Sequence, residues 1–205
     1  LIRFVTDRIA PTVRTRRRTL LTVSARTSIA FALIGCGFLP GMSWAQNALP
    51  AEATSDVPGA QWSGSARLRY FGFDVYDSRL WIGSGFRASA YAQTPLALEL
   101  TYLRNLSGSA IAERSIKEMR RVGSISQEQE TRWLKSMEVS FPDVKAGDRI
   151  LGVHVPGSGA RFWFNGQSRP GVADAEFSRY FFGIWLSDNT SEPKLRASLL
   201  ERASP

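Results

Sequence analysis

The chain reads as an α+β domain in which helices cover one side of a single antiparallel sheet. Three observations predict this. Segments with a two-residue hydrophobic alternation come first. Two amphipathic segments with helix start and stop signals then interrupt them, and two more strand-like segments precede helical patterns at the end of the chain.

The elements follow in order. Residues 46–60, QNALPAEATSDVPGA, are polar, small and aperiodic, which predicts a mobile linker before a domain at 61–205. WSGSARLRY sets Trp62, Gly64, Ala66, Leu68 and Tyr70 against Ser63, Ser65, Arg67 and Arg69, a strand with one wet face. FDVYDSRLW is the next strand, with Tyr76 and Leu80 on one face and Val75 and Trp81 on the other; the small-residue segment Phe86–Ala92 is its expected partner. TPLALELTYLR carries the clearest alternation. Leu96, Leu98, Leu100, Tyr102 and Arg104 share a face, opposite Glu99 and Thr101.

SGSAIAERSIKEMRRVG then places Ala112, Ile116 and Met119 at helical spacing, with Gly123 as a stop. SQEQETRWLKSMEVSF has Ser126 as N-cap, acids in its first turn and a buried stripe of Trp133, Leu134 and Met137. DRILGVHVPG and ARFWFNGQS read as two strands, the second ending in an Asn165-Gly166 turn. DAEFSRYFFGIWL is a helix capped by Asp174. Phe177, Phe181 and Ile184 form its core stripe, while Tyr180 and Trp185 lie off the stripe and are expected at a cleft or the surface. A short helix over Glu192–Glu201 ends the chain.

The formal charge of +8 suggests nucleic acid, but its distribution does not. Arg3, Arg8, Arg14, Arg16, Arg17, Arg18 and Arg26 precede Gln46 with only Asp7 among them, which leaves the remainder nearly neutral. Residues 1–45 read as an export segment. A basic RTRRR run leads to the apolar IAFALIGCGFL, then to Pro40-Gly41 and a small-residue SWA cleavage signal ending at Ala45. The apolar run is short for a membrane span, so the mature chain is expected to have none and to be periplasmic or secreted. The alternative is lipid anchoring through Cys36, since LIGC resembles a bacterial lipoprotein box. Cys36 is the only cysteine and His154 the only histidine, which argues against thiol chemistry and the common zinc sites; no metal or cofactor is expected.

Few residues carry chemistry. GSGFRA and PGSGA lack the strand–glycine–helix context of phosphate loops and read as turns. His154 lies between Val153 and Val155 with no acid or nucleophile nearby, and reads as a sheet histidine rather than a base. Asp74 and Asp77 are expected on opposite strand faces. Arg104 either closes an apolar groove, offering its planar fork to an anionic head group, or simply reaches water past the strand end. Arg67 and Arg69 carry the same ambiguity.

The segments RYFGFDVYDSRLW, ALELTYLRNLSGSAIAERSIKEM, GDRILGVHVPGSGARFWFNG and EFSRYFFGIWLSDNTSEPKLRASLL together resemble the bacterial branch of the chalcone isomerase-like family, over roughly Trp62 to Ala203. The resemblance implies an open-faced β-sandwich, a large antiparallel sheet with helices layered on it and a cleft between. It does not carry the plant isomerase site. The family's catalytic Thr position falls at Phe71, its Tyr position near Ile111 and its Asn position near Glu118, and no Arg stands near Gly59–Ser63. Non-catalytic plant relatives bind fatty acids through an Arg and a Tyr. The donors available here are Arg69, Tyr70, Tyr76, Tyr102 and Arg104. The expectation is a non-catalytic binder of a small amphipathic carboxylate. The alternatives are an isomerase with a rebuilt site or a ligand-free interaction protein.

Overall fold

Hydrophobic alternation becomes a six-stranded sheet in the computed structural model, which describes residues 47–205. The expected export segment at 1–45 lies outside the described residues. The strands β1 (Gln61–Tyr70), β2 (Phe73–Ile82), β3 (Leu96–Tyr102), β4 (Arg149–Val155), β5 (Gly159–Phe164) and β6 (Gln167–Val172) lie side by side in chain order, each antiparallel to the next. Between β3 and β4 the chain makes α1 (Gly108–Val122) and α2 (Gln127–Ser140). After β6 come α3 (Ala175–Leu186) and α4 (Pro193–Leu199). This is an α+β fold with an open antiparallel sheet.

Local signals set the helix ends. The Ser107 side chain caps α1 through the Ala110 amide, and Ser126 forms a reciprocal capping box with Gln129 at α2. Asp174 accepts from the Phe177 amide at 2.9 Å and also from the Trp133 indole at 2.9 Å, so one carboxylate caps α3 and ties it to α2. The helices bury one sheet face. Leu80, Leu96, Leu98, Leu100 and Tyr102 pack there against Ala112, Ile116, Met119, Trp133, Phe177, Phe181 and Phe182.

Five expectations are corrected. The segment read as a mobile linker is packed: Ala53 and Val57 are buried with Trp81, Ala97, Leu151 and Val153 on the opposite sheet face. Its few apolar residues fall where a short 3-10 turn at Ala51–Ala53 aims them inward, a pattern too brief to show as a period. That face also buries Glu99, which is paired with Arg79 and, at 2.6 Å, with Arg149; Arg149 reaches Glu52 at 2.6 Å. Phe86–Ala92 is not a strand, since β2 pairs directly with β3 and 3-10 turns run over Ala88–Gln93. Trp62 faces away from Ala66 and Leu68, because a register shift at Ser63 turns it onto Trp81 at 5.5 Å. A second shift between Leu68 and Arg69 bulges β2 at Val75. Asp74 and Asp77 therefore share a face, and both bond Arg67, at 3.0 and 2.6 Å. Finally, β6 went unread: QSRPGV has no apolar alternation, and Pro170 is tolerated because this is an edge strand.

Candidate functional site: an apolar cavity between sheet and helices

A cavity of about 280 Å³ lies where α1 and α3 lift off the sheet. Leu68, Val75, Leu100 and Ile150 form its floor, Ala110 and Ile111 of α1 one wall, and Phe181, Ile184 and Trp185 of α3 the other. The Val75 bulge contributes here, since it lets Val75 and its neighbour Tyr76 both face the space. The volume lies just below the range usual for ligand pockets, ~300–1,000 Å³, which leaves room for one slender ligand at most.

Besides Ser115, Glu118, Ser191 and Glu192, the polar groups that line the cavity are two tyrosines and two arginines. Inside are Tyr76 and Tyr102, cross-strand partners whose rings meet edge to face at 6.1 Å. Burial raises the pKa of both phenols, and the neighbouring Tyr76 raises that of Tyr102 further, so both remain protonated donors at neutral pH. The Trp185 indole donates to the Tyr76 hydroxyl at 2.9 Å. Tyr102 is only 3% exposed, yet its hydroxyl bonds no protein group among the described residues. At the mouth stand Arg104 and Arg114. The Arg104 guanidinium lies 5.4 Å from the Phe73 ring and that of Arg114 5.0 Å from the Tyr70 ring. Tyr70 and Phe73 are themselves directly paired across the β1–β2 hairpin. Arg114 is neutralised by Glu118 at 2.8 Å, whereas Arg104 has no carboxylate partner among the described residues.

Of the five residues expected from sequence, Tyr70, Tyr76, Tyr102 and Arg104 line this cavity. Arg69 does not. It bonds Asp74 at 2.6 Å on the outer side of the hairpin, where its guanidinium holds the Asp74 carboxyl below the usual range. The family resemblance implied Ile111 and Glu118 of α1 as site positions; Arg114 and Ser115 were missed, and all four recur at helical spacing and face the space. Trp185 is a cavity residue, as its place off the stripe suggested. Tyr180 is not: it is buried against Trp133 and donates to the Ser124 carbonyl at 3.0 Å.

His154 is remote from the cavity. It is 2% exposed, with Nδ1 2.6 Å from the Ser178 hydroxyl and Nε2 2.9 Å from the Ala92 carbonyl. Nε2 therefore carries the proton and donates to the carbonyl, while Nδ1 accepts from Ser178, and burial lowers the histidine pKa. With both ring nitrogens occupied, the group joins β4 to α3 structurally. No cluster of His, Cys, Asp and Glu among the described residues could hold a metal ion, and no described helix is long and apolar enough to cross a membrane.

Comparison with known proteins decides the family. A family-wide sequence profile described as chalcone isomerase-like matches residues 48–201. The chain belongs to the chalcone isomerase-like family. The match begins at 48, inside the packed segment, so the chalcone isomerase-like unit extends beyond the start at 61 expected from sequence. A Haemophilus influenzae protein of uncharacterised function is 30% identical over 148 residues, covering 71% of each chain. The crystal structure of a fatty-acid binding protein from Arabidopsis thaliana superposes with a TM-score of 0.57 at 12% identity, covering 71% of this chain and 89% of that one. That likeness shows the chalcone isomerase-like fold.

Proposed function

We propose that this protein is a non-catalytic chalcone isomerase-like binder of a small amphipathic carboxylate such as a fatty acid. One observation carries the reading: the hydroxyl of a largely buried tyrosine, without a protein partner among the described residues, opens into an apolar cavity whose mouth holds a guanidinium without a carboxylate partner. An acyl chain would fill the apolar space. Its carboxylate would accept from the Tyr102 hydroxyl and pair with the Arg104 guanidinium. The fatty-acid binding protein with the same fold supports this choice of ligand. Of the positions matched by sequence to the family's catalytic Thr, Tyr and Asn, Ile111 and Glu118 line the cavity and Phe71 stands outside it on the hairpin tip, so Phe71 is no part of the site and the two that remain are not suited to positioning a phenolate. We further propose that the chain is exported and cleaved after Ala45, which would leave the packed segment from Asn47 onward intact.

Titration with a fluorescent fatty acid tests the binding claim. Losing a hydrogen bond to a charged group costs about 1.5–3 kcal/mol, so Arg104→Ala should weaken binding roughly tenfold or more. Arg104→Lys should recover only part, because the planar fork is lost. Equal affinity for wild type and Arg104→Ala would remove Arg104 from the site.

A further inference from the structure

The cavity mouth borders a surface that the fold does not require. Four large apolar residues are exposed among the described residues, and three cluster on the β1–β2 hairpin: Phe71 at 83%, Phe73 at 63% and Tyr70 at 45%. Phe71 stands at the tip with φ +49°, followed by Gly72 at +81°, so both loop residues have positive φ. This is the geometry of a type I′ hairpin loop, which favours Asn-Gly. The chain supplies its own comparison. The β5–β6 loop has the same two angles, +49° and +83°, and there the residues are Asn165 and Gly166. There the sequence uses the favoured residue, and its side chain also accepts from the Arg149 amide and donates to Asp148. At the cavity mouth it places a bulky aromatic in a conformation that disfavours it and leaves that ring in water.

We propose that the Tyr70–Phe73 hairpin tip is a membrane-docking element that seats the cavity mouth on an anionic lipid surface. The tip is convex and only three aromatic side chains wide, whereas a stable protein interface needs roughly 800 Å² from each partner. A bilayer interface accepts such a wedge, and aromatic rings are favoured at its headgroup level. The charges complement it. Arg67 and Arg69 are balanced by Asp74 and Asp77, which leaves the surface around the tip short of free negative charge. Arg104, stacked on Phe73, adds a cation with no carboxylate partner among the described residues. Its aliphatic stem can lie along the apolar layer while the guanidinium reaches lipid phosphates. Tyr70 belongs to both features, since it lines the cavity and packs edge to face on Phe71 at 4.5 Å. Docking would therefore place the opening against the acyl chains it would exchange. That purpose rests on the fatty-acid reading, but the docking itself rests on the hairpin tip and the adjacent Arg104.

The test uses the full chain with vesicles of phosphatidylcholine mixed with phosphatidylglycerol. Flotation measures binding, and hydrogen exchange at residues 68–75 reports on the hairpin separately from any other segment. The informative variant is Phe71→Asn. It restores the favoured turn pair, so thermal stability should hold or rise, while loss of one inserted ring should lower vesicle affinity by roughly tenfold. Adding Phe73→Thr should lower it further. Wild type should show slower hairpin exchange with these vesicles and less slowing with pure phosphatidylcholine. An unchanged exchange rate at 68–75, or equal flotation of wild type and both variants, would overturn the proposal. So would hairpin protection that depends on protein concentration and not on lipid, since that would mark a protein interface. Fatty-acid titration of Phe71→Asn without vesicles keeps the two claims apart, because Phe71 does not line the cavity and its affinity should be unchanged.

Discussion

Replacing Tyr102 with phenylalanine removes one hydroxyl and little else. The ring is 3% exposed and stays packed against Tyr76. The hydroxyl bonds no protein group among the described residues, so its removal breaks no bond that holds the fold. Stability should therefore change by less than about 0.5 kcal/mol. Affinity should behave differently. A phenol donating to a ligand carboxylate contributes about 1.5–3 kcal/mol, and about 1.4 kcal/mol is tenfold, so binding should weaken roughly tenfold to a hundredfold. Tyr76→Phe is the control with the opposite pattern. It strands the buried Trp185 N–H that now donates to Tyr76, which should cost about 1–3 kcal/mol of stability. Urea unfolding paired with fluorescent fatty-acid titration reads both quantities. If Tyr102→Phe bound with wild-type affinity, or were destabilised as much as Tyr76→Phe, the assignment of a free ligand donor would be refuted.

Three further outcomes are expected. Chalcone cyclisation, followed by loss of the substrate's visible absorbance, should proceed at the spontaneous rate; protein-dependent turnover would restore the isomerase reading. Folding stability should decline on acidification below about pH 6.5, the ordinary histidine value, because burial lowers the pKa of His154. The unfolded chain then takes up a proton that the native protein resists, so stability is complete above that pH and lost as pH falls toward the lower native value; urea midpoints should show this slope, flattened in His154→Gln. N-terminal sequencing of protein recovered from the periplasm or medium should begin at Gln46, whereas a lipid-modified Cys36 at the start would establish the anchored form.

Much of this architecture was legible because burial follows period. Leu96 to Tyr102 alternate and lie on one sheet face, and Ser126 and Asp174 cap the helices that their positions announce. What escaped was non-periodic. Bulges at Ser63 and Val75 reverse the alternation, so Trp62 and Asp74 changed faces without any mark in the local pattern. The β6 edge strand presents polar residues on both sides and therefore carries no hydrophobic signal. The site was half legible. Tyr102 follows from strand alternation; Arg104 reaches the cavity from the bend after β3 ends at Tyr102, not as part of the strand, and the outward placement of Arg69 was already implied by its position on the wet face of β1. Ile111 and Glu118 came from the family resemblance; Arg114 and Ser115 share their helix face, but only tertiary packing shows that α1 turns this face toward β2 and β3.

A cavity that binds an amphipathic carboxylate should keep that ligand through a gentle purification. Native mass spectrometry of protein purified from its own host without detergent, with lipid extraction of the same sample, tests it most directly. The wild-type protein should carry a bound mass that matches an extracted fatty acid and that is depleted in Arg104→Ala and Tyr102→Phe. A folded wild-type protein that carries no such mass, and that takes up none when fatty acid is added, would contradict it.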